Sequence, residues 1–463
     1  MWPTMRRADP DALQISYPER CRRLHVARSW PRMTMQSLLF RLTRARGEEM
    51  TASLWSFVYF FALLAGYYVL RPIRDEMAVQ VGQARLQELF TAVFLTMLVV
   101  APIFGALTAR FPRKRLLPWI YGFLVANLGC FWLIFSTTGQ QNVQVGATFF
   151  VWVSVVNLFA VSVFWSLMAD LFDTAQAKRL YGFIAAGGTA GALAGPSLTA
   201  LFVTVVGVRS MLLVSAAFLA LCIVAITRLR AWAERTGATG SARDDAPLGG
   251  SMWAGIIDAV RSPYLLGICL FLFGYTLLST LLYFQQTELV PAAIKDSAER
   301  TRLFALVDVA VNVLALLLQL FAFGAMMERL GTTFTLAALP AVAIAGFATL
   351  ALSPTLATLV VFGVLRRAGE YAISKPARET LFNILPPEQK YKAKNVIDTL
   401  VHRTGDTASS WIFAGLRSAG FSLTAMSWIA VPISAMWLGI AVFLGRAAQE
   451  RLASPRSVSA PRG

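Results

Sequence analysis

The sequence predicts an all-α membrane protein with about twelve transmembrane helices in two six-helix halves, and three observations support this prediction. Hydrophobic residues make up 57% of the 463 positions and charged residues only 14%. A soluble chain of this length would carry more polar residues to cover its surface. The apolar residues also fall into runs near the ~20 residues that a helix needs to cross a bilayer. A polar segment then divides these runs into two sets of six.

Twelve apolar runs are long enough to be spans. Lipid offers no partner to backbone N–H and C=O groups, so each run is expected to form a helix. The predicted spans are 54–70, 88–108, 116–136, 146–169, 181–206 and 210–229, and then 263–284, 303–325, 333–352, 355–374, 394–416 and 422–445.

The segment 230–262, rich in Gly, Ala, Ser and charged residues, is predicted to be a flexible cytoplasmic linker between the halves 51–229 and 263–446. Residues 1–50 form a basic cytoplasmic segment without the apolar core of a signal peptide. Their first part is expected to be a disordered tail, or else the true start of the chain lies near Met35.

The basic residues indicate the orientation in the membrane. The net charge is +17, and the break after the second span contains Arg110, Arg113 and Lys114 with no acid. Basic loops stay in the cytoplasm, so an even number of spans places both termini there, including the basic tail 447–463. We therefore expect a multi-pass membrane protein with both termini in the cytoplasm, and the basic character indicates no nucleic-acid partner.

Motifs for catalysis or metal binding are missing from the sequence. The four cysteines have no CxxC spacing, and His25 and His402 form no zinc motif. We predict that the chain is not an enzyme and has no metal and no cofactor. The expected partners are the lipid bilayer and a small-molecule substrate, and a monomer is the expected state.

Two related stretches lie 219 residues apart, GALTARFP at 105–112 and GAMMERLG at 324–331. The first resembles the loop motif of the major facilitator superfamily but lacks its acid and its second glycine. The second contains both, as Glu328 and Gly331. The resemblance implies a major facilitator fold, although any cytoplasmic loop of a membrane protein is basic. It also implies a conformational gating role for Gly105, Arg110, Arg113, Lys114, Glu328 and Arg329.

Ionisable residues inside the spans are candidate site residues, because each costs about 2.5–3.5 kcal/mol or more in the bilayer. In the eighth span Asp308, Asn312 and Gln319 share one helix face, which predicts either a wet cavity or a ladder of interhelical hydrogen bonds. A second polar face, in the seventh span, is expected either to line the pore or to form hydrogen bonds with neighbouring helices. It contains Tyr275, Ser279, Tyr283 and Gln286.

The tenth span contains Arg366, Arg367 and Glu370. Arg366 and Glu370 are spaced to pair with each other on the helix, so Arg367 is the better candidate to bind an anion. The stretch YYVLRPIRDEMAVQVG at 67–82 raises a related question about the first span. If that span ends at Leu70, its charges merely flank the helix. If it continues, broken at Pro72, to about Gln80, then Arg71, Arg74 and Asp75 belong to the mouth of a cavity.

Three stretches resemble the ATP/ADP translocase family of plastids and intracellular bacteria: LRPIRDEMAV at 70–79, the region 163–195 with its Phe-Trp and Ala-Lys-Arg, and EYAISKPARETLFNILPPEQKYKAKNVIDTLVHRTGD at 370–406. The resemblance implies a nucleotide carrier of a bacterial inner membrane, with Arg74 at the place of a substrate-contacting Lys. Gln176 and Lys375 replace acids of the family pattern. By the same match we assign gating roles to Lys178, Arg179, Lys390, Lys392, Lys394 and Asp398.

The sequence therefore predicts a secondary transporter that moves a small anionic, nucleotide-like solute by alternating access. One alternative is a proton-coupled carrier or exporter of another small molecule, with Asp308 or Glu370 as the titrating group. The other is a membrane sensor that uses a carrier fold without transport.

Overall fold

The computed structural model describes residues 47, 49–110, 113–138, 142–237, 262–385, 394 and 397–453. Within these ranges the chain forms twelve helices and no β-strand, so the predicted all-α fold class is confirmed. Most of residues 1–50, most of the linker 230–262 and most of the tail 447–463 lie outside the described residues. The same is true of Lys390 and Lys392.

Six helices precede the linker. Each is longer than its predicted span, because polar residues extend the helix beyond the apolar run. They are α1 (Glu49–Val81), α2 (Leu86–Arg110), α3 (Arg113–Thr138), α4 (Val143–Leu171), α5 (Thr174–Val206) and α6 (Val208–Thr236).

Six helices follow the linker, and three of them contain a π-helical turn. The three without a π turn are α7 (Pro263–Ala293), α9 (Gly331–Leu352) and α12 (Leu423–Ala453). The others are α8 (Ser297–Arg329, with the π turn Leu318–Phe323), α10 (Leu356–Gly369, the π turn Glu370–Ser374, then Lys375–Phe382) and α11 (the π turn Ile397–Val401, then His402–Ser418).

Ten of these twelve helices are long and apolar enough to cross a membrane. The other two are α10 and α11, which are interrupted by π turns. They also carry charged side chains, Arg366 and Arg367 in α10 and Arg403 and Asp406 in α11. Polar residues in a membrane helix usually face the interior of the bundle. These four side chains do so, since all of them line the space between the two halves.

Helix α1 settles the question raised by its sequence. It runs without a break through Pro72 to Val81, so Arg71, Arg74 and Asp75 lie inside the helix. The expectation that the span ends at Leu70 is wrong, and so is the expectation of a break at Pro72. A proline inside a helix removes only one backbone donor, and neighbouring helices stabilise the segment.

Close packing of α5 against α1 organises the first half. A Cβ atom on Gly187 would lie 2.5 Å from the carbonyl oxygen of Phe57, and one on Gly195 would lie 2.5 Å from that of Ala65. Only glycine permits such an approach. The glycines of the fifth span therefore bring α5 into close contact with α1.

The two halves meet mainly along three helix pairs, α5 with α8, α1 with α8 and α2 with α11, and α1 also contacts α7. One apolar core lies within the first half, and the core of the second half extends across the junction to Ala78, Leu86 and Phe150 of the first half. Helices α1, α7 and α10 also carry polar residues into this junction.

Candidate functional site

A polar cavity of about 250 Å³, called here the central cavity, lies between the two halves. Helices α1, α2 and α4 line it on one side, and α7, α8, α10 and α11 line it on the other. Five of the predicted site residues face it: Arg71, Arg74, Asp75, Arg366 and Arg367. A larger cavity of about 720 Å³ lies among α2, α3 and α4, but its almost wholly apolar lining offers little to recognise a charged solute.

Asp308 joins the two halves from behind the cavity wall. Its carboxylate lies 3.8 Å from Arg71 Nε of α1 and accepts a hydrogen bond from Arg367 Nη2 of α10. Arg71 Nη2 also donates to the Tyr371 hydroxyl at 3.3 Å. Asp308 is only 1% exposed. Of the two alternatives that the sequence leaves open for Asp308, the contacts between helices are the one observed, since it lies buried between two arginines that line the cavity.

Arg74 and Asp75 form a second pair that reaches across the junction. Arg74 Nη2 donates to Asp75 Oδ1 at 2.7 Å, and the hydroxyl of Tyr283 in α7 donates to the same oxygen at 3.1 Å. The guanidinium of Arg74 also lies over the ring of Phe150, 5.4 Å from its centroid. The charges of the opening stretch therefore line the cavity and hold α1 against α7.

The two adjacent arginines of α10 have partners that the sequence does not predict. Arg367, the expected anion ligand, pairs with Asp308. Arg366, expected to pair with Glu370, instead lies over the ring of Tyr275, 5.7 Å from its centroid. Its Nε and Nη1 atoms are buried and have no hydrogen-bond partner.

Glu370 explains part of this difference, since its carboxylate lies 3.9 Å from Arg378 Nη1. The π turn begins at Glu370, and its wider hydrogen-bonded ring changes the register that the sequence spacing assumes. The predicted Arg366–Glu370 pair is therefore wrong, and Arg366 lies buried against Tyr275 instead.

The sequence does not decide whether the polar faces of α7 and α8 line a cavity or bind neighbouring helices, and the structure gives a different answer for each. The side chains of Tyr275, Ser279, Tyr283 and Gln286 in α7 all line the central cavity. In α8 the two amides form interhelical hydrogen bonds instead. Asn312 Nδ2 donates to the carbonyl of Ala192 in α5 at 2.9 Å, and Gln319 Nε2 donates to the carbonyl of Tyr371 at 3.1 Å.

One end of the bundle contains a cluster of charged and polar side chains that the sequence analysis missed. This bridged end contains Glu76, Gln83, Glu288, Arg300 and Arg417. Arg300 Nε and Nη2 in α8 donate to both oxygens of Glu76 in α1, at 2.8 and 2.6 Å. Arg417 binds Glu288 at 2.7 Å and donates to Gln83 at 3.3 Å. The one available signal was Glu76 itself, an acid within a continuing apolar run.

The predicted gating residues lie near helix ends, and their role stays a prediction. Arg179 binds Glu49 at 2.9 Å and Lys394 binds Glu379, and each pair lies within one half. The exposed positions are Gly105, Arg110, Lys178, Glu328 and Arg329. The side chains of Arg113, Lys114 and Asp398 lie outside the described part of the chain. In that described part, no three His, Cys, Asp or Glu side chains come together as a metal site.

A family model described as Major Facilitator Superfamily matches residues 51–369, which is more than half of the chain. The chain belongs to the Major Facilitator Superfamily. The predicted major facilitator fold is thereby confirmed, and membership indicates a carrier rather than an enzyme. No curated relative matches the chain.

Solved structures of Major Facilitator Superfamily transporters share this fold. The nucleoside transporter NupG matches with a TM-score of 0.56 and 13% identity, over 89% of this chain and 100% of its own. A bacterial homologue of the iron transporter ferroportin, in an inward-facing state, gives 0.59 and 13%, over 88% and 99%. The POT family transporter PepTSo gives 0.62 and 13%, over 88% and 99%. At such identity the likeness shows the superfamily fold alone.

Proposed function

We propose that this protein is a secondary transporter that moves a small organic anion, nucleotide-like in its chemistry, through the central cavity by alternating access. The observation that carries the proposal is Arg366. Arg366 lines the polar central cavity, is 7% exposed, and has two buried nitrogens, Nε and Nη1, without an acceptor. A buried cation is costly without an acceptor, and a bound anion would supply one.

The charges around the cavity favour an anion over a cation. Its lining includes five arginines: Arg71, Arg74, Arg366, Arg367 and Arg403. Three carboxylates oppose them, Asp75 and Asp406 in the lining and Asp308 behind it. The excess positive charge suits phosphate or carboxylate, which guanidinium groups bind with two parallel hydrogen bonds.

Aromatic rings support an organic rather than an inorganic solute. Tyr275, Tyr283, Phe90 and Phe150 line the same cavity as the arginines. Rings of this kind stack on planar groups such as nucleobases. The volume of about 250 Å³ is slightly below the usual range for ligand sites of roughly 300–1,000 Å³, so a compact solute with one charged group fits best.

The bridged end supports alternating access. There the Glu76–Arg300 pair joins α1 to α8 and therefore one half to the other. Rocking of the halves about the cavity would break this pair and open that end. The basic residues of the sequence support an inner-membrane location with cytoplasmic termini, so we assign the bridged end to the outer face.

A thermal-shift screen of purified protein in detergent tests the proposal. The ligands are ATP, ADP, AMP, phosphate, sulfate, carboxylates and peptides. An anion at a hundred times its Kd should stabilise the wild type by about 2.7 kcal/mol. We expect this stabilisation to be lost in Arg366→Gln and retained in Arg302→Gln, a matched variant at an exposed arginine of α8.

Two outcomes would contradict the proposal. If none of the anions changes the unfolding temperature of the wild type, the proposed anion site does not exist. Equal stabilisation of Arg366→Gln and the wild type would show that the arginine is not the ligand. A sensor without transport would keep its activity after this substitution, and the arginine-lined cavity favours a carrier over such a sensor.

A further inference from the structure

Helix α11 brings a histidine to the central cavity next to a carboxylate. His402 Nδ1 lies 3.3 Å from Asp406 Oδ2, one helical turn further on, and both residues line the cavity. His402 directly follows the π turn Ile397–Val401. Its side chain is 33% exposed, so water reaches it. Among the residues that the structure describes, it is the sole histidine.

The ring of Tyr275 connects this histidine to the anion ligand. The centroids of the His402 and Tyr275 rings are 6.3 Å apart, and the Arg366 guanidinium lies over the same tyrosine ring at 5.7 Å. The other charged groups around this position are Arg403 and Asp406 on α11 and Glu370 on α10. A charge on His402 would therefore be felt by an anion bound at Arg366.

We propose that His402 takes up the proton that accompanies the anion, with Asp406 holding the imidazole in the cavity; this inference rests on the proposed anion site. Histidine is the side chain whose charge changes most readily between pH 5 and 8. The protonated ring adds one positive charge beside Arg366 and keeps the ion pair with Asp406. The protonated carrier therefore binds the anion more tightly, and by linkage the bound anion retains the proton.

Asp308 and Glu370, the coupling groups expected from the sequence, are less suited to this role. Asp308 contacts both Arg71 and Arg367, and Glu370 lies 3.9 Å from Arg378. Proton uptake by either carboxylate would remove a buried ion pair. Proton uptake by His402 removes no ion pair, because the protonated ring binds the carboxylate of Asp406 more strongly.

Sulfate binding to the full chain in detergent, measured by calorimetry at pH 5.5 and 8, tests the inference. Sulfate stays a dianion over this range, so a change in its Kd belongs to the protein. We expect binding roughly tenfold tighter at pH 5.5 in the wild type, the size of one added charge nearby. His402→Gln should bind equally at both pH values, and His402→Lys should bind tightly at both.

Proton uptake on binding gives a second readout. In weakly buffered solution near pH 7, sulfate should draw up to one proton per wild-type molecule and none in His402→Gln. A Kd that is independent of pH in the wild type, or unchanged proton uptake in His402→Gln, would overturn the role of His402. If sulfate still requires Arg366 in that case, the anion site survives. Failure of the wild type to bind sulfate at either pH would overturn both.

Discussion

Arg300 at the bridged end is partly buried and Arg366 in the central cavity is buried, and their surroundings differ. Arg300 donates to both oxygens of Glu76 and to the backbone carbonyls of Ile294 and Lys295. Arg366 has an aromatic ring beneath it and no acceptor for Nε or Nη1. A buried cation whose acceptors lie within the protein stabilises one conformation, whereas a cation without them is available to a ligand.

The largest expected effect is at the bridged end. Arg300→Ala leaves the carboxylate of Glu76, which is 0% exposed, without its cation. Removal of one partner from a buried pair costs about 3–5 kcal/mol. We expect a loss of this size in unfolding of the purified protein by SDS titration in mixed micelles.

The neighbouring exposed pair is the matched control. Arg302 Nη1 lies 3.6 Å from Glu299, and both side chains are about half exposed. Arg302→Ala should change the free energy of unfolding by only about 0–1 kcal/mol. The double variant Glu76→Gln with Arg300→Gln should lose less than Arg300→Ala. A loss in Arg300→Ala no larger than in Arg302→Ala would contradict the structural role of the bridged end.

The second comparison is between the adjacent arginines of α10 without ligand. Arg367→Met removes the hydrogen-bond donor of the buried Asp308 and should cost about 1–3 kcal/mol. Arg366→Met removes a buried cation without an acceptor but also its contact with the Tyr275 ring. These effects oppose each other, so the free energy of unfolding should change by less than about 1 kcal/mol. The same SDS titration would refute the assignment if Arg366→Met were the more costly variant.

The helices were largely predictable because a long apolar run has one stable form in lipid. Much of the site was predictable for a related reason, since Arg71, Arg74 and Asp75 interrupt such a run at a high free-energy cost. The partners were not predictable. Glu76 and Arg300 are 224 positions apart, so only the meeting of the two halves brings them together.

The roles of Arg366 and Arg367 show a different limit of the sequence. Which of two adjacent residues faces a partner depends on the rotation of the helix about its axis. The sequence spacing assumes a regular α-helix, but α10 enters a π turn at Glu370. The π turn has no recognisable sequence pattern here, so the partners of Arg366 and Arg367 could be seen only in three dimensions.

The smallest expected effect concerns the two amides of α8, which differ in the half that they contact. Asn312 donates to Ala192 of the first half, whereas Gln319 donates to Tyr371 within the second half. Interhelical hydrogen bonds of this kind contribute about 0.6 kcal/mol on average in membrane proteins. We therefore expect Asn312→Leu and Gln319→Leu to reduce the free energy of unfolding by similar small amounts.

Only the Asn312 bond must break when the halves move apart. Its loss should shift the equilibrium between the two access states by about threefold, which corresponds to ~0.6 kcal/mol. The alkylation rate of Ser279→Cys, at the cavity wall in a background without other cysteines, measures this shift. Gln319→Leu is the control, since its bond stays within one half and its alkylation rate should not change. Equal rates in both variants would mean that α5 and α8 move together, and the junction between the halves would then lie elsewhere.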